Sequence, residues 1–291
     1  MAEIRIAAIL RAEIFSPNHI ANDAAILHDV VTELRRRGCA VNIYSESEFC
    51  DKYSDEDVIL AMCRGEKALE KIQALEDEGK IVVNSGYGIE NCVRMIMVRL
   101  LADAGIAIPE SVVVETDVNV KKKLEKADFG SCWVKKGDAP VHHQEDIARC
   151  RHPEEAQEIL HEFFFRHIKK AVVSKDIQGE RIRFYGIAST GWFYCFMPYR
   201  TECIPEEEQE RTDEILNNGK NICMNAAEAL NVDIFGGDMV ATADGDCYIM
   251  NFDDWPSFAP IRKEASKEIA KSVMNRIKKL RPGVTSKRKR K

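Results

Sequence analysis

The stretch from Gly236 to Pro256 constrains the fold more than any other: Gly-Gly-Asp-Met-Val-Ala-Thr-Ala-Asp-Gly-Asp-Cys-Tyr-Ile-Met-Asn-Phe-Asp-Asp-Trp-Pro. Two strand-like runs flank Asp244-Gly245, and an Asp-Gly pair between such runs is a strong hairpin signal. With those two residues as the loop, Ala243 pairs with Asp246, and counting outward sets Asp238 opposite Asn251. Side chains alternate along a strand, so Asp253 shares a face with Asn251 and lies diagonal to Asp238. Asp254 follows and is expected to be still more exposed. Like charges across a ladder are destabilising unless a cation neutralises them, and a hard ion such as Mg²⁺ takes oxygen ligands. The same residues also fit a surface hairpin with solvated acids. A register slip of one residue would turn the acids to the other face.

The chain is long enough to bury a substantial core, and 291 residues suggest two domains. Apolar residues are 45% and charged residues 31%, as in a globular protein rather than a disordered one. No apolar run approaches the roughly 20 residues that span a bilayer, so no membrane partner is expected. Met1 to Ile6 reads as an immediate first strand, with no long apolar leader. Ten cysteines without a CxxC pair read as reduced core thiols, which points to the cytoplasm. A net charge of -6 gives no general affinity for nucleic acid. The exception is the run Lys287-Arg288-Lys289-Arg290-Lys291 in residues 283–291, read as a solvated, disordered tail.

Along the chain, residues 3–10 form an apolar strand, and a helical pattern runs from Asp23 to Arg37. Strands follow at Cys39–Tyr44 and Val58–Met62, a helix at Glu66–Glu78, and a strand at Ile81–Val83. Asn84-Ser85-Gly86-Tyr87-Gly88 reads as a turn opening a helix over Ile89–Asp103, whose exposed N–H groups suit an anion. This order predicts a parallel α/β unit over residues 1–109, with a boundary at Pro109. The second part, 110–282, is α+β. Strands are expected at Val112–Glu115, Cys132–Lys136, Ala171–Ser174, Arg181–Ala188 and Gly191–Met197. Helices are expected near Val118–Lys126, from Pro153 to Lys170, from Pro205 to Leu230 and from Arg262 to Leu280.

Two further segments carry candidate chemistry. Lys135 and Lys136 end an apolar strand, and alternation sends one inward as a fixed charge for phosphate oxygens. A strand end reaching solvent is the other reading. Gly137 to His143 follows as a flexible loop, and its adjacent histidines do not share a face. Arg181 and Arg183 share a strand face, an arrangement that suits phosphate or carboxylate recognition and equally a salt-bridged sheet surface.

In order and residue type these pieces resemble the ATP-grasp superfamily over nearly the whole chain. Asn84-Ser85, the helix carrying Arg94, and Gly105-Ile106-Ala107-Ile108-Pro109 look like the end of its small N-terminal domain. The resemblance implies an ATP-grasp domain of two α+β subdomains over 110–282, with Lys135 as the strand lysine. It makes Ser174, Lys175, Asp176 and Ile177 the adenine-holding hinge, Glu180 the ribose acid, and Arg181 or Arg183 the phosphate-facing base. Asp238, Asn251 and Asp253 would be the Mg²⁺ ligands, with asparagine and acid exchanged between the last two places. The glycine-rich loop is poor here. The implied activity is an ATP- and Mg²⁺-dependent ligase joining a carboxylate to an amine or thiol through an acylphosphate. Lys135 and Arg183 would then be catalytic, and Arg94 would contribute to nucleotide binding. Kinases phosphorylating a small-molecule hydroxyl, and non-catalytic nucleotide-binding proteins, share the pattern. A homodimer is common in the superfamily. Arg200 stands as a substrate carboxylate anchor by position.

Overall fold

The computed structural model describes residues 3–16, 19–53, 55–138, 144–200, 204 and 206–280. The first part contains β1 (Arg5–Ile9), α1 (Ile20–Arg36), β2 (Ala40–Tyr44), α2 (Glu46–Lys52), β3 (Val58–Ala61), α3 (Glu66–Asp77), β4 (Ile81–Val83), α4 (Gly86–Asn91) and α5 (Arg94–Asp103). Its four strands form a parallel sheet in the order β2-β1-β3-β4. Helix α1 buries Ile26, Leu27, Val30, Val31 and Leu34 against it, each contributing roughly 1.5–3 kcal/mol.

Sequence periodicity does not reveal α2, which is short. Ser45 and Glu48 start it with reciprocal caps, which satisfy two orphan N–H groups. The helix expected from Ile89 to Asp103 is two helices. Ser85 accepts from the Gly88 N–H and starts α4 at Gly86, and an extended Val93 then separates α4 from α5.

A second group contains β5 (Ser111–Glu115), α6 (Lys121–Lys126), β6 (Cys132–Lys136), β7 (Ile147–Cys150), α7 (Pro153–Phe165) and β8 (Lys170–Lys175). Its antiparallel sheet runs β5-β8-β6-β7, and β7, at four residues, is too short to announce itself in the sequence. A third group contains β9 (Glu180–Ile187), β10 (Trp192–Phe196), α8 (Glu206–Ala229), β11 (Ile234–Ala241), β12 (Cys247–Asp254) and α9 (Arg262–Leu280), with sheet order β10-β9-β11-β12. Helix α9 returns to pack on α1, so Ile269 and Val273 share a core with Ile26, Leu60 and Trp255. Buried Asn84 locks the first sheet to β11. Its amide donates to Ile234 O at 2.7 Å, and its oxygen accepts from the Asp233 and Ile234 N–H groups at 3.1 and 2.7 Å. No helix among the described residues is long and apolar enough to cross a membrane.

Candidate nucleotide and acid site

The hairpin sets Asp238 opposite Asn251, as counted from the sequence, by a different path. The loop is wider than two residues: Ala241 pairs with Cys247, and the Thr242 N–H reaches Asp246 O at 2.9 Å. A β-bulge between Asp238 and Met239 then makes Met250 the extra residue and restores the register. The strands approach closely there, because a Cβ on Gly237 would stand 2.1 Å from Asn251 O. A bulge re-aims the groups beside it, and the Met250 carbonyl accepts from Lys135 Nζ at 3.4 Å.

Lys135 is 8% exposed and Lys136 half-buried, so Lys135 is the inward lysine, although its neighbour Val134 is buried as well. Burial brings the Lys135 ammonium down to about 7, helped by the charge of Arg94 and opposed by Asp238. Arg94 opens α5, and its buried Nε has no hydrogen-bond partner among the described residues. Burial lowers its pKa, and Asp253 opposes the shift. Lys135 and Arg94 line a narrow cleft between the two antiparallel sheets, with Met97, Val172, Ser174 and Ile249 as further walls.

Arg181 and Arg183 lie on one face of β9, as expected, and both grip Asp238. Arg181 donates from Nε and Nη2 at 3.1 and 2.8 Å, and Arg183 from the same atoms at 2.7 and 3.0 Å. Burial opposes ionisation of Asp238, but the bonds from Arg181 and Arg183 outweigh it and hold the carboxyl below its ordinary range. Arg181 also donates to the hydroxyl of the exposed Tyr199 at 3.2 Å. Asn251 donates its amide to Asp253 Oδ2 at 2.5 Å. Burial raises the Asp253 pKa against the pull of Arg64 and Arg94.

Ser174, next to last in β8, is buried and bonded to Ser111. The Lys175 and Asp176 N–H groups already serve Glu110 O and Ser131 O, while the Asp176 carboxylate takes Trp133 Nε1 and Arg149. Ile177 follows, and Glu180 begins β9 exposed, with Arg200 at 3.5 Å. Arg200 serves Glu180 and Glu208 and so is already paired within the protein. The loop residues Ala139 to His143 and the tail 283–291 lie outside the described residues.

Asp254 corrects the expectation of greater exposure: it is 1% exposed. Alternation on β12 puts it on the buried face with Phe252, and its carboxylate is neutralised by Arg11 at 3.2 Å and Arg64 at 2.5 Å. Sequence reasoning misses these two arginines, which lie 243 and 190 residues away in the chain. The available signal was their place just beyond the ends of β1 and β3.

A divalent cation would meet hard oxygen donors here. Asn251 and Asp253 present an amide and a carboxylate on one face, whereas both Asp238 oxygens are saturated by guanidinium N–H groups. Among the described residues, no three His, Cys, Asp or Glu side chains are grouped to hold a metal. The donor set fits an ion that brings most of its other ligands with it, as Mg²⁺ does on phosphates.

No protein-family model matches the sequence, and no curated protein matches it. Among solved structures, a D-alanine–D-alanine ligase from Bacillus anthracis complexed with ATP superposes with a TM-score of 0.68 at 16% identity, over 95% of this chain and 99% of that one. The D-alanyl-alanine synthetase A of Vibrio cholerae gives 0.69 at 12%, over 96% and 98%. The ATP-grasp ligase PsnB, complexed with minimal precursor, Mg and ADP, gives 0.62 at 14%, over 94% and 98%. The chain has the fold of the ATP-grasp ligases. The arrangement of one parallel and two antiparallel sheets is therefore shared with those structures at 12–16% identity.

Proposed function

We propose that the protein is an ATP-dependent ligase that activates a small carboxylic acid as an acylphosphate and passes the acyl group to an amine or thiol. The observation that carries this reading is the cleft between the antiparallel sheets lined by Lys135 and Arg94, with Asp238 and Arg181 near enough to bear on the charge of Lys135 and Asp253 near enough to bear on that of Arg94. The likeness to ligases solved with ATP and with Mg and ADP supports it.

In this reading the adenine lies between the antiparallel sheets against Ile249 and Val172, with the chain from Ser174 through Lys175 to Ile177 along its edge and Glu180 at the ribose. Lys135, Arg94, Arg181 and Arg183 take the phosphates. A triphosphate competes with Asp238 for the two β9 guanidiniums, and each one that moves to phosphate frees an Asp238 oxygen. Asn251 and Asp253, joined then by Asp238, would hold Mg²⁺, which supplies charge neutralisation on the phosphate oxygens. Lys135 and Arg183 orient the transferred phosphoryl group. Such catalysis rests on positioning and electrostatics and needs no side-chain nucleophile.

The test is hydroxylamine trapping. With ATP, Mg²⁺ and a panel of acids, the protein should release ADP and form an acyl hydroxamate, and Lys135→Met should abolish both. A phosphorylated hydroxyl product without hydroxamate would assign a kinase instead, and tight ATP binding with no turnover would assign a binding protein.

A further inference from the structure

In the parallel sheet the chain runs from β1 to β2 on one side, then crosses to β3 on the other. The topological switch point therefore lies between β1 and β3. In open α/β sheets, ligands bind in the crevice outside the carboxyl ends of the strands at such a point. Arg11 stands just beyond β1 and Arg64 just beyond β3, and both reach Asp254 of the hairpin. The crevice thus opens onto the residues proposed to handle phosphate.

Its carboxylates are engaged. Asp23 accepts from Arg11 Nη1 at 3.1 Å and Ser16 Oγ at 2.6 Å. Asp254 accepts from both arginines. Glu46 ties the two loops together, accepting from the backbone N–H groups of Ala12, Arg64 and Gly65 at 2.8, 3.1 and 2.8 Å. Glu13, in the loop after β1, is exposed to solvent. Asp23, Asp254 and Glu46 are thus each engaged by groups of the protein.

The cations are not all engaged. Arg11 is saturated by Asp23, Asp254 and the carbonyls of Met62 and Trp255. Arg64 commits its Nη2 to Asp254, while its buried Nε has no partner among the described residues, and its side chain keeps 19% exposure. Arg94 carries a second unpartnered buried Nε, and Asp253 interacts electrostatically with both arginines. A guanidinium is a rigid fork matched to carboxylate and phosphate, and a buried donor without a partner costs about 1–3 kcal/mol that a ligand recovers.

We propose that this crevice binds the acid substrate through a second anionic group, a carboxylate or phosphate taken by the unpartnered Nε of Arg64. The substrate is then a diacid or a phosphorylated acid rather than a zwitterionic amino acid or a simple monoacid. The proposal rests on the ligase reading for which acid group reacts, but the anion site itself is a binding statement.

The experiment is calorimetric titration of the full chain at millimolar ligand, with and without an unhydrolysable ATP analogue. The probes are succinate and glutarate, 3-phosphoglycerate, propionate, and D-alanine. Expected is binding of the diacids or of the phosphoacid, whichever is the source of the anion, at least tenfold tighter than propionate or D-alanine. Arg64→Gln should weaken it about tenfold to a hundredfold while leaving the ATP analogue's affinity unchanged. Arg64→Lys should recover part of the loss. Preference for D-alanine or propionate, absence of binding by every dianionic probe, or full affinity in folded Arg64→Gln would each overturn the proposal. If Arg64→Gln does not fold, the wild-type probe ranking alone decides. Loss of nucleotide binding in the wild type, with anion binding intact, would overturn the ligase reading and leave the anion site standing.

Discussion

Replacing Asp238 by Asn removes the charge that neutralises two guanidiniums while keeping the side chain's shape. Four charge-assisted hydrogen bonds converge on this carboxylate. Breaking a buried ion pair by removing one partner costs about 3–5 kcal/mol. The Arg181 and Arg183 side chains are 41% and 38% exposed, so solvent screens much of that. The oxygen of Asn also still accepts two of the four bonds. The net expectation is a loss of about 2 kcal/mol, or a melting temperature lower by about 3 °C for a chain of this size. Urea and thermal unfolding measure it. The pH dependence has a definite sign. The folded Asp238 pKa is depressed, so its contribution is full above the unfolded carboxylate value of about 3.9 and is lost as pH falls through the folded value. The variant should therefore lose less stability on acidification than the wild type. In binding, the freed arginines should take ATP without Mg²⁺ more tightly, and the gain from adding Mg²⁺ should shrink severalfold. Unchanged stability together with unchanged Mg-ATP affinity would refute both the ion-pair account and the ligand assignment.

Other perturbations test separate parts of the account. Because the Lys135 ammonium sits at about 7 in the free protein, phosphate oxygens beside it should draw in a proton. Calorimetry at pH 8 in buffers of different ionisation enthalpy should find proton uptake on nucleotide binding, abolished in Lys135→Met; zero uptake in the wild type would remove Lys135 from the phosphates. The same depressed value means that its contribution to stability rises with pH between about 7 and the unfolded value of about 10.4. Asn84→Ala takes the acceptor from the Asp233 and Ile234 N–H groups, while Ile234 O keeps the Trp255 N–H, and should cost about 3 kcal/mol in chemical denaturation; a loss under about 0.5 kcal/mol would show that the lock between the first sheet and β11 carries no weight. Gly237→Ala pushes a methyl against Asn251 O and should cost about 1–3 kcal/mol while weakening Mg-ATP binding; a fully stable, fully binding variant would contradict the close approach of the strands.

Much of the architecture was legible because the strands and long helices carry clean periodicities, as in α1 and in the apolar run of β1. The short elements α2 and β7 were not, since one turn or two of helix and a four-residue edge strand bury too little to leave a pattern. The hairpin is instructive. Asp238 meets Asn251 because a wider loop and a bulge shift the register in opposite senses, and no count along the sequence anticipates either. The face shared by Arg181 and Arg183 followed from alternation alone, but their common attachment to Asp238 is a cross-strand contact that appears only once β9 and β11 are paired. Arg11 and Arg64 were invisible for the same reason: their meaning comes from a carboxylate at the far end of the chain. Asp254 was misjudged because its charge outweighed the alternation that buries Phe252 beside it.

The central claim is that one cleft between the antiparallel sheets binds ATP for transfer to an acid. A crystal structure with an unhydrolysable ATP analogue and Mg²⁺ tests it most directly. The account predicts adenine against Ile249 beside the chain from Ser174 to Ile177, phosphates on Lys135 and Arg183, and Mg²⁺ on Asp253 and Asn251. A nucleotide bound elsewhere, or phosphates that leave Lys135 and both β9 arginines untouched, would contradict it.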